Sequence, residues 1–343
     1  MKVRLGSSEI SRLLNGVITI YKHRDTSVSA LKKALLSTLC RDGNSLDDVF
    51  VPGFQMPIIE PHSKSQALVV VGERDQLDYS RHPLVVGLPF HEEDIRLQEL
   101  HYQDPASSGL CVIGVNNGCD WIEELRKKNW INIFDVDAQL GRQTFKNEIR
   151  GKVITTLAYH HVTKYRLEKV FNRLQAQFKR ASFELMHCDL QSEEAFEAAR
   201  TGAVRPAVPD APIIYDIAIK HFKPPQLGLQ IQCTGANVQF LTSLIQELGV
   251  CVDSTASVRR LHCSRLGPFL ASTAILEKNF SLQSVIQNII ANRKLVENYQ
   301  ADAVLASRSS SVPENLQESS VEIEAEENDE CVKMAWERSY APV

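Results

Sequence analysis

Apolar residues recur along the chain at spacings that predict a mixed α/β fold. Between positions 133 and 141, Phe134, Val136, Ala138 and Leu140 alternate with polar residues, which is typical of a half-buried strand. Other apolar runs predict further strands, at 16–22, 67–71, 110–115, 213–219, 227–233 and 258–263. These strands supply a sheet with a sizeable core.

Apolar residues at helical spacing predict helices between these strands. They begin near Ser27, near Gly118 and at residues 163–178, 192–200, 237–248 and 283–299. Residues 41–65 are expected to be irregular because Gly and Pro recur there, and 250–255 are expected to be extended. Since helices and strands do not follow a regular βαβ order, the sequence predicts an α/β (α+β) domain. Its sheet is expected to be largely antiparallel but mixed, with flanking helices.

Asp104 lies where a polar segment runs into an apolar strand. The following residues are Pro, Ala, two Ser and Gly, and the strand begins directly after them. Such a junction can expose a reactive side chain on a fixed backbone, so Asp104 is a candidate catalytic residue. Asp-Pro is also common in plain turns, and local chemistry alone favours that interpretation.

Charge divides the chain into a body and a tail. Residues 301–343 carry ten acidic and three basic side chains, a net charge of −7. The whole chain carries −4, so residues 1–300 carry +3, which suits a polyanionic partner such as RNA. The Ser-rich and Glu-rich segment 305–343 has few apolar residues and is expected to be disordered.

Cysteine and histidine spacing argues against a metal site or disulfides. The eight cysteines show no Cys-x-x-Cys spacing, which predicts buried thiols in a reducing compartment. His160 and His161 are expected to point to opposite faces of a strand, so they would not converge on a metal. No apolar run is long enough to span a membrane. The N-terminus is basic and Ser-rich, which is weakly typical of an organelle-targeting segment.

Five sequence blocks together indicate a family. They are residues 16–22, 104–114, 134–144, 196–202 and 259–261. Their order and spacing resemble the TruB pseudouridine synthases, over about residues 14–275. The resemblance is strongest to the animal mitochondrial branch, through residues 82–85, 118–119, 159–163 and 224–225.

The resemblance implies a pseudouridine synthase catalytic domain over residues 1–300. Such an enzyme isomerises uridine to pseudouridine in RNA, here a tRNA, rRNA or mRNA stem-loop, without cofactor or metal. It also implies mitochondrial RNA modification, with the nucleus and cytosol as alternatives and RNA-processing proteins as further candidate partners. The residues after 300 are too few and too acidic for the C-terminal PUA domain of bacterial members.

The family pattern also assigns roles to individual residues. It places the catalytic carboxylate at Asp104 and the aromatic ring that stacks on the flipped base at Phe134. Leu261 matches the pocket leucine, while Arg259, Arg260 and Lys22 are candidate RNA contacts. The family tyrosine is replaced by Phe134, so the ring is kept and the hydroxyl is lost.

One departure from the pattern concerns the catalytic residue itself. Family members carry an Arg that pairs with the catalytic Asp, and the frame places Thr242 at that position. Losing an opposite charge within about 4 to 6 Å raises a carboxyl pKa. Two hypotheses therefore remain: a pseudouridine synthase, or a catalytically weakened or inactive RNA-binding or RNA-chaperone protein of the same fold. An Arg or Lys reaching Asp104 in the fold would favour the enzyme.

Overall fold

The computed structural model describes residues 7–45, 53–62, 64, 66–80, 85, 87–201 and 211–298. The predicted acidic tail at 305–343, residues 82–84 of the branch motif and residue 202, the last of the 196–202 block, lie outside these residues. The helices are α1 Ser7–Leu13, α2 Val28–Ser45, α3 Gly118–Lys127, α4 Lys164–Glu184, α5 Glu193–Thr201, α6 Val238–Cys251 and α7 Leu282–Asn298.

Thirteen strands are present in the part of the chain that the structure describes. They are β1 Gly16–Lys22, β2 Gly53–Pro61, β3 Leu68–Leu77, β4 Leu97–Glu99, β5 Ser108–Val115, β6 Asn132–Leu140, β7 Arg142–Thr144, β8 Val153–Thr156, β9 Ile213–Lys223, β10 Gln226–Thr234, β11 Ala256–Leu266, β12 Phe269–Leu270 and β13 Ile275–Leu276.

Nine of these strands form one mixed sheet. Its order is β13-β1-β5-β11-β6-β10-β9, with β4 beside β5 and β12 beside β11. Two pairs, β1 with β13 and β5 with β11, are parallel, and the other pairs are antiparallel. This confirms the predicted largely antiparallel, mixed sheet. Two separate ribbons, β2–β3 and β7–β8, complete the strands.

The sheet separates two apolar cores because β1 and β5 are buried on both faces. Val17 and Leu110 belong to one core, which also receives α4 and α6. Ile18 and Ile113 belong to the other, which receives α2 and α7. Successive strand residues point to opposite faces, so a strand buried on both sides reads as a continuous apolar run. The loop that carries the candidate catalytic residue Asp104 leads directly into these buried strands.

The prediction of an irregular segment at 41–65 is wrong. Helix α2 continues to Ser45, and β2 occupies Gly53–Pro61. The glycine inside the helix, Gly43, is required by packing: a Cβ there would lie 2.6 Å from the ring of Phe90. Its presence reflects a close tertiary contact and does not mark the end of the helix. The other predicted strands and helices are confirmed, several of them longer than expected.

The prediction of an extended segment at 250–255 is also wrong. Helix α6 passes through Gly249 and ends at Cys251, and β11 begins at Ala256. A Cβ at Gly249 would lie 2.5 Å from the backbone nitrogen of Ala256. This glycine therefore lets the next strand pack closely against the helix.

His160 and His161 lie in a turn before α4, so the strand placement predicted for them is wrong. The His161 Nε2 atom lies 2.9 Å from the carbonyl oxygen of Val252. Both side chains are exposed, and the turn leads to the Thr163 hydroxyl, which caps α4. The pair thus belongs to a helix entrance.

A single glycine permits the contact that brings the candidate site together. Strands β5 and β11 pair over two positions, Ser108 with His262 and Gly109 with Cys263. A Cβ at Gly109 would lie 2.2 Å from the Cys263 carbonyl oxygen, and the φ angle there is +116°. Glycine alone fits this backbone and this space. The close approach places Leu261 next to the loop that precedes β5.

Candidate active site

Asp104 begins a tight turn that ends at strand β5. Its carbonyl oxygen accepts a hydrogen bond from the Ser107 N–H at 3.0 Å, and its Oδ1 accepts one from the Ala106 N–H at 2.9 Å. An Asp side chain that bonds the backbone two residues ahead fixes the turn locally. The expected turn is therefore present, and it holds a half-buried carboxylate at the mouth of a buried strand.

Lys22 supports this turn from below. Its side chain is wholly buried at the end of β1. The Nζ atom donates to the carbonyl oxygens of Ser107 at 2.5 Å and Pro105 at 3.2 Å. Burial lowers the pKa of the ammonium, and the nearby Cys111, Asp104 and Asp25 oppose that shift. Lys22 thus lies beneath the turn, and its position is that of a structural support.

The loop after β1 is fastened to the same turn. The Asp25 N–H donates to the Pro105 carbonyl oxygen at 2.8 Å. The Asp25 carboxylate accepts two hydrogen bonds from the Arg150 guanidinium, at 2.6 and 3.0 Å. That bidentate pair lowers the pKa of Asp25. Residues 23–25 are therefore held between the Asp104 turn and the segment around Arg150.

A shallow cleft opens beside the turn. It brings together four parts of the chain: the loop after β1, the turn, the segment before Arg150, and the pair α6–β11. Its lining residues are Arg24, Ala106, Ser107, Glu148, Val238, Thr242, Val258, Arg259, Arg260 and Leu261. The Asp104 backbone turn thus forms one wall of a cavity.

A β-bulge explains why three consecutive residues of β11 line this cleft. Pairing with β6 shifts by one residue between Val258 and Arg260, which leaves Arg259 as the extra residue. A bulge re-aims neighbouring side chains that would otherwise alternate between faces. Arg259, Arg260 and Leu261 therefore all reach one cavity, the two arginines exposed and the leucine buried.

The remaining two predicted site residues differ in their placement. Thr242 lines the cleft from α6, and its hydroxyl donates to the Gln239 carbonyl oxygen of its own helix at 2.9 Å. Phe134 lies in the core on β6, 7% exposed, opposite Cys263, and is not among the residues that line the cleft. The structure therefore brings Leu261, Arg259, Arg260 and Thr242 to the Asp104 turn, with Phe134 deeper in the core.

Glu148 is a carboxyl group of this cleft that sequence reasoning did not identify. Burial raises its pKa above the ordinary 4.5, and the neighbouring Asp104 carboxylate raises it further. Arg24, Lys146 and Arg150 act in the opposite direction. The segment is attached to β11 because the Ile149 N–H donates to the Val258 carbonyl oxygen at 2.9 Å. No motif marked this residue; only the fold brings it to Asp104.

We expect Glu148→Gln to stabilise the protein at neutral pH. Since the folded-state pKa is raised, the charged carboxylate disfavours folding, and this cost appears as pH rises above about 4.5. The Gln side chain stays neutral, so the melting temperature of the variant should exceed that of the wild type at pH 7.5. The difference between the two melting temperatures should disappear at pH 4. Thermal denaturation at both pH values measures this, with the exposed helix residue variant Glu123→Gln as control. A gap equal at the two pH values would argue against it.

Two further findings concern other classes of site. Within the ranges that the structure describes, no cluster of three or more His, Cys, Asp or Glu side chains could hold a metal ion. No helix among the same residues combines the length and apolar character needed to cross a bilayer.

A protein-family model matches the segment of the chain that contains the Asp104 turn. Residues 101–237 match the model of the TruB family pseudouridylate synthase N-terminal domain, a stretch that begins just before Asp104 and includes β5 and β6. This stretch of 137 of the 343 residues resembles the TruB family. TruB pseudouridylate synthases are isomerases, so the enzyme class predicted from the sequence is confirmed. Lys22, Arg24 and the β11 residues of the cleft lie outside the matched TruB segment.

Individual relatives agree with the TruB assignment. The Xenopus tropicalis protein named "Pseudouridylate synthase TRUB2, mitochondrial" is 29% identical over 278 residues, which cover 80% of this chain and 85% of that protein. The Homo sapiens protein of the same name is 27% identical over 207 residues, covering 60% and 62%.

One solved archaeal structure aligns with part of the chain. The chain aligns with the structure titled "Crystal structure of the archaeal box H/ACA sRNP Nop10-Cbf5 complex" with a TM-score of 0.46 and 11% identity. The alignment covers 84% of this chain and 63% of the archaeal one, which is less than two thirds of that chain's length.

Proposed function

We propose that this TruB-family protein converts uridine to pseudouridine in RNA, with Asp104 as its catalytic residue. The supporting observation is the position of the Asp104 turn, which forms a wall of the same cleft as Leu261 and two exposed arginines. A rigid strand behind the carboxylate and a cavity beside it are what a reaction at a single nucleotide needs.

The reaction is an isomerisation, so its atoms balance without a cofactor. The bond from ribose C1′ to N1 of uracil breaks, a bond from C1′ to C5 forms, the C5 proton leaves and N1 gains one. A carboxylate can attack the ribose or remove its C2′ proton, and it must be ionised for either step. Asp104 is the carboxylate that the turn holds at the cleft.

A uridine in a stem exposes neither C1′ nor C5 to the protein. It must leave its stack and enter a pocket, where apolar and aromatic side chains hold the base. In this proposal Leu261 forms the apolar wall, and Phe134 on the same sheet face, two positions along β6, supports it from the core. Arg259 and Arg260, exposed at the rim, contact RNA phosphates. Lys22 supports the turn from below.

The deciding experiment mixes the purified full chain with uridine-bearing RNA stem-loops and scores pseudouridine by mass spectrometry. Product that depends on the target uridine, and disappears when that position is cytidine, is the expected result. Tight RNA binding without product on any stem-loop would support the alternative of a non-catalytic RNA-binding protein.

The names of the relatives guide the choice of RNA and compartment. We propose that the protein acts in mitochondria on a tRNA, rRNA or mRNA stem-loop, because the TRUB2 relatives carry the word mitochondrial in their names. Fractionation of cells that express the tagged protein tests the location. Signal confined to the nucleus or cytosol would contradict it.

A further inference from the structure

Arg24 is a cleft residue without an assigned role. It lies two residues beyond β1, half-buried, and lines the cleft opposite Thr242. Its Nε atom is buried from solvent, and no described residue accepts a hydrogen bond from it. A buried donor without a partner costs about 1 to 3 kcal/mol, so such an atom calls for an explanation in terms of function or of a ligand.

The charges around the cleft show what that guanidinium faces. Glu148 is subject to the charges of both Asp104 and Arg24, so each of these two groups lies within electrostatic reach of the Glu148 carboxyl. Lys146 and Arg150 also act on Glu148, and Lys22 acts on Asp104 from below. Lys22 is committed to backbone carbonyls, and Arg150 to Asp25.

The opposite wall contributes no charge. Thr242 supplies a hydroxyl that is already bonded within its helix. On the β11 side, Arg259 and Arg260 are exposed and lie at the rim. Among the described residues that line the cleft, Arg24 is therefore the cation with a buried donor atom, and it shares the cleft with the Glu148 carboxyl.

We propose that Arg24 is a positioning residue of this site: its guanidinium supplies the positive charge shared by the carboxylates of Asp104 and Glu148. This inference rests on the proposed function and deepens it. The loop that carries Arg24 is fastened to the turn by the Asp25 N–H and to the Glu148 segment by Arg150. The guanidinium therefore enters the cleft from β1, on the side facing Thr242.

The first test compares pH–rate profiles under single-turnover conditions. Arg24→Gln should raise the acid limb by about 1 to 3 pH units, because an adjacent cation lowers a carboxyl pKa by that amount. Its rate at neutral pH should fall on the order of 10²-fold through loss of alignment. Arg24→Lys keeps the positive charge, so the acid limb of its pH–rate profile should stay near that of the wild type. The exposed-residue variant Arg41→Gln is the matched control.

A relocated guanidinium provides the second test. Thr242→Arg, introduced into the Arg24→Gln protein, enters the same cleft from the opposite wall and should recover the rate at least about tenfold. The proposal would be overturned if the acid limb of the Arg24→Gln profile stayed in place while RNA binding weakened. If the slope of log affinity against log salt concentration also fell by about one, Arg24 would be a contact to an RNA phosphate.

A readout without RNA separates this inference from the proposed function. Arg24→Gln should melt below the wild type at pH 7.5, and the gap should narrow at pH 4, because the pKa of Glu148 is raised and its carboxyl loses its charge as the pH falls. If the wild type makes no pseudouridine but this pattern appears, the proposed reaction fails and the role of Arg24 stands. A gap that is absent, or independent of pH, rejects Arg24 as the partner of these carboxylates.

Discussion

Asp104→Asn is expected to abolish pseudouridine formation while leaving RNA affinity intact. The Asn side chain is neutral, so it can neither attack the ribose nor accept a proton, and the rate should fall by about 10³-fold or more. Its carbonyl oxygen can still accept the Ala106 N–H, so the turn should persist. Mass spectrometry of single-turnover products and filter binding at fixed salt measure the two properties.

The matched control for this variant is Asp120→Asn. Asp120 is exposed on α3 and pairs with Arg96, away from the cleft. The Asp120→Asn substitution removes the same charge from the chain, so both variants should bind RNA with equal affinity. Only Asp104→Asn should lose pseudouridine formation. Pseudouridine formation at an unchanged rate in Asp104→Asn would exclude Asp104 from the chemistry.

Lys22→Met is expected to weaken both the fold and the reaction. The substitution leaves the Ser107 carbonyl oxygen without its buried donor, at about 1 to 3 kcal/mol for a buried acceptor left unsatisfied, while the Pro105 carbonyl oxygen keeps the Asp25 N–H. Part of this cost is offset, because the variant no longer has to desolvate a buried ammonium group. Because the carbonyls belong to the turn that carries Asp104, the turnover rate should fall more than the RNA affinity.

Lys33→Met is the control for this second variant. Lys33 is exposed on α2, so its substitution should change neither the melting temperature nor the rate. Urea denaturation gives the stability, and single-turnover kinetics with varied RNA give the rate and the affinity separately. If Lys22→Met lost RNA affinity at an unchanged rate and stability, Lys22 would be an RNA contact and not a support of the turn.

Local patterns predicted the elements that depend on local physics. The alternation at 133–141 identified β6 because a half-buried strand must alternate. Predictions failed where a distant residue decides the local conformation. Gly43 lies inside α2 because of Phe90, and Gly249 lies inside α6 because of Ala256, so both glycines indicated breaks that the fold does not contain.

The candidate site shows the same division. Leu261, Arg259 and Arg260 were identifiable from the family pattern, but strand alternation would have separated the two arginines, and the bulge in β11 unites them. Lys22 was identified with a surface role, whereas its burial under the turn appears only in three dimensions. Arg24 lies two residues beyond the first sequence block and received no role from the sequence.

By itself, the sequence determined the strands, most helices, the resemblance to a family and the position of Asp104 at the mouth of a strand, because each depends on neighbouring residues or on spacing along the chain. Only the tertiary structure decided which charges surround that carboxylate. Glu148 and Arg24 are far from Asp104 in sequence, and they line the cleft beside its turn because Gly109 lets β11 approach β5 and because two hydrogen-bonded loops converge there. Electrostatic environments depend on distance through space, which residue order does not encode.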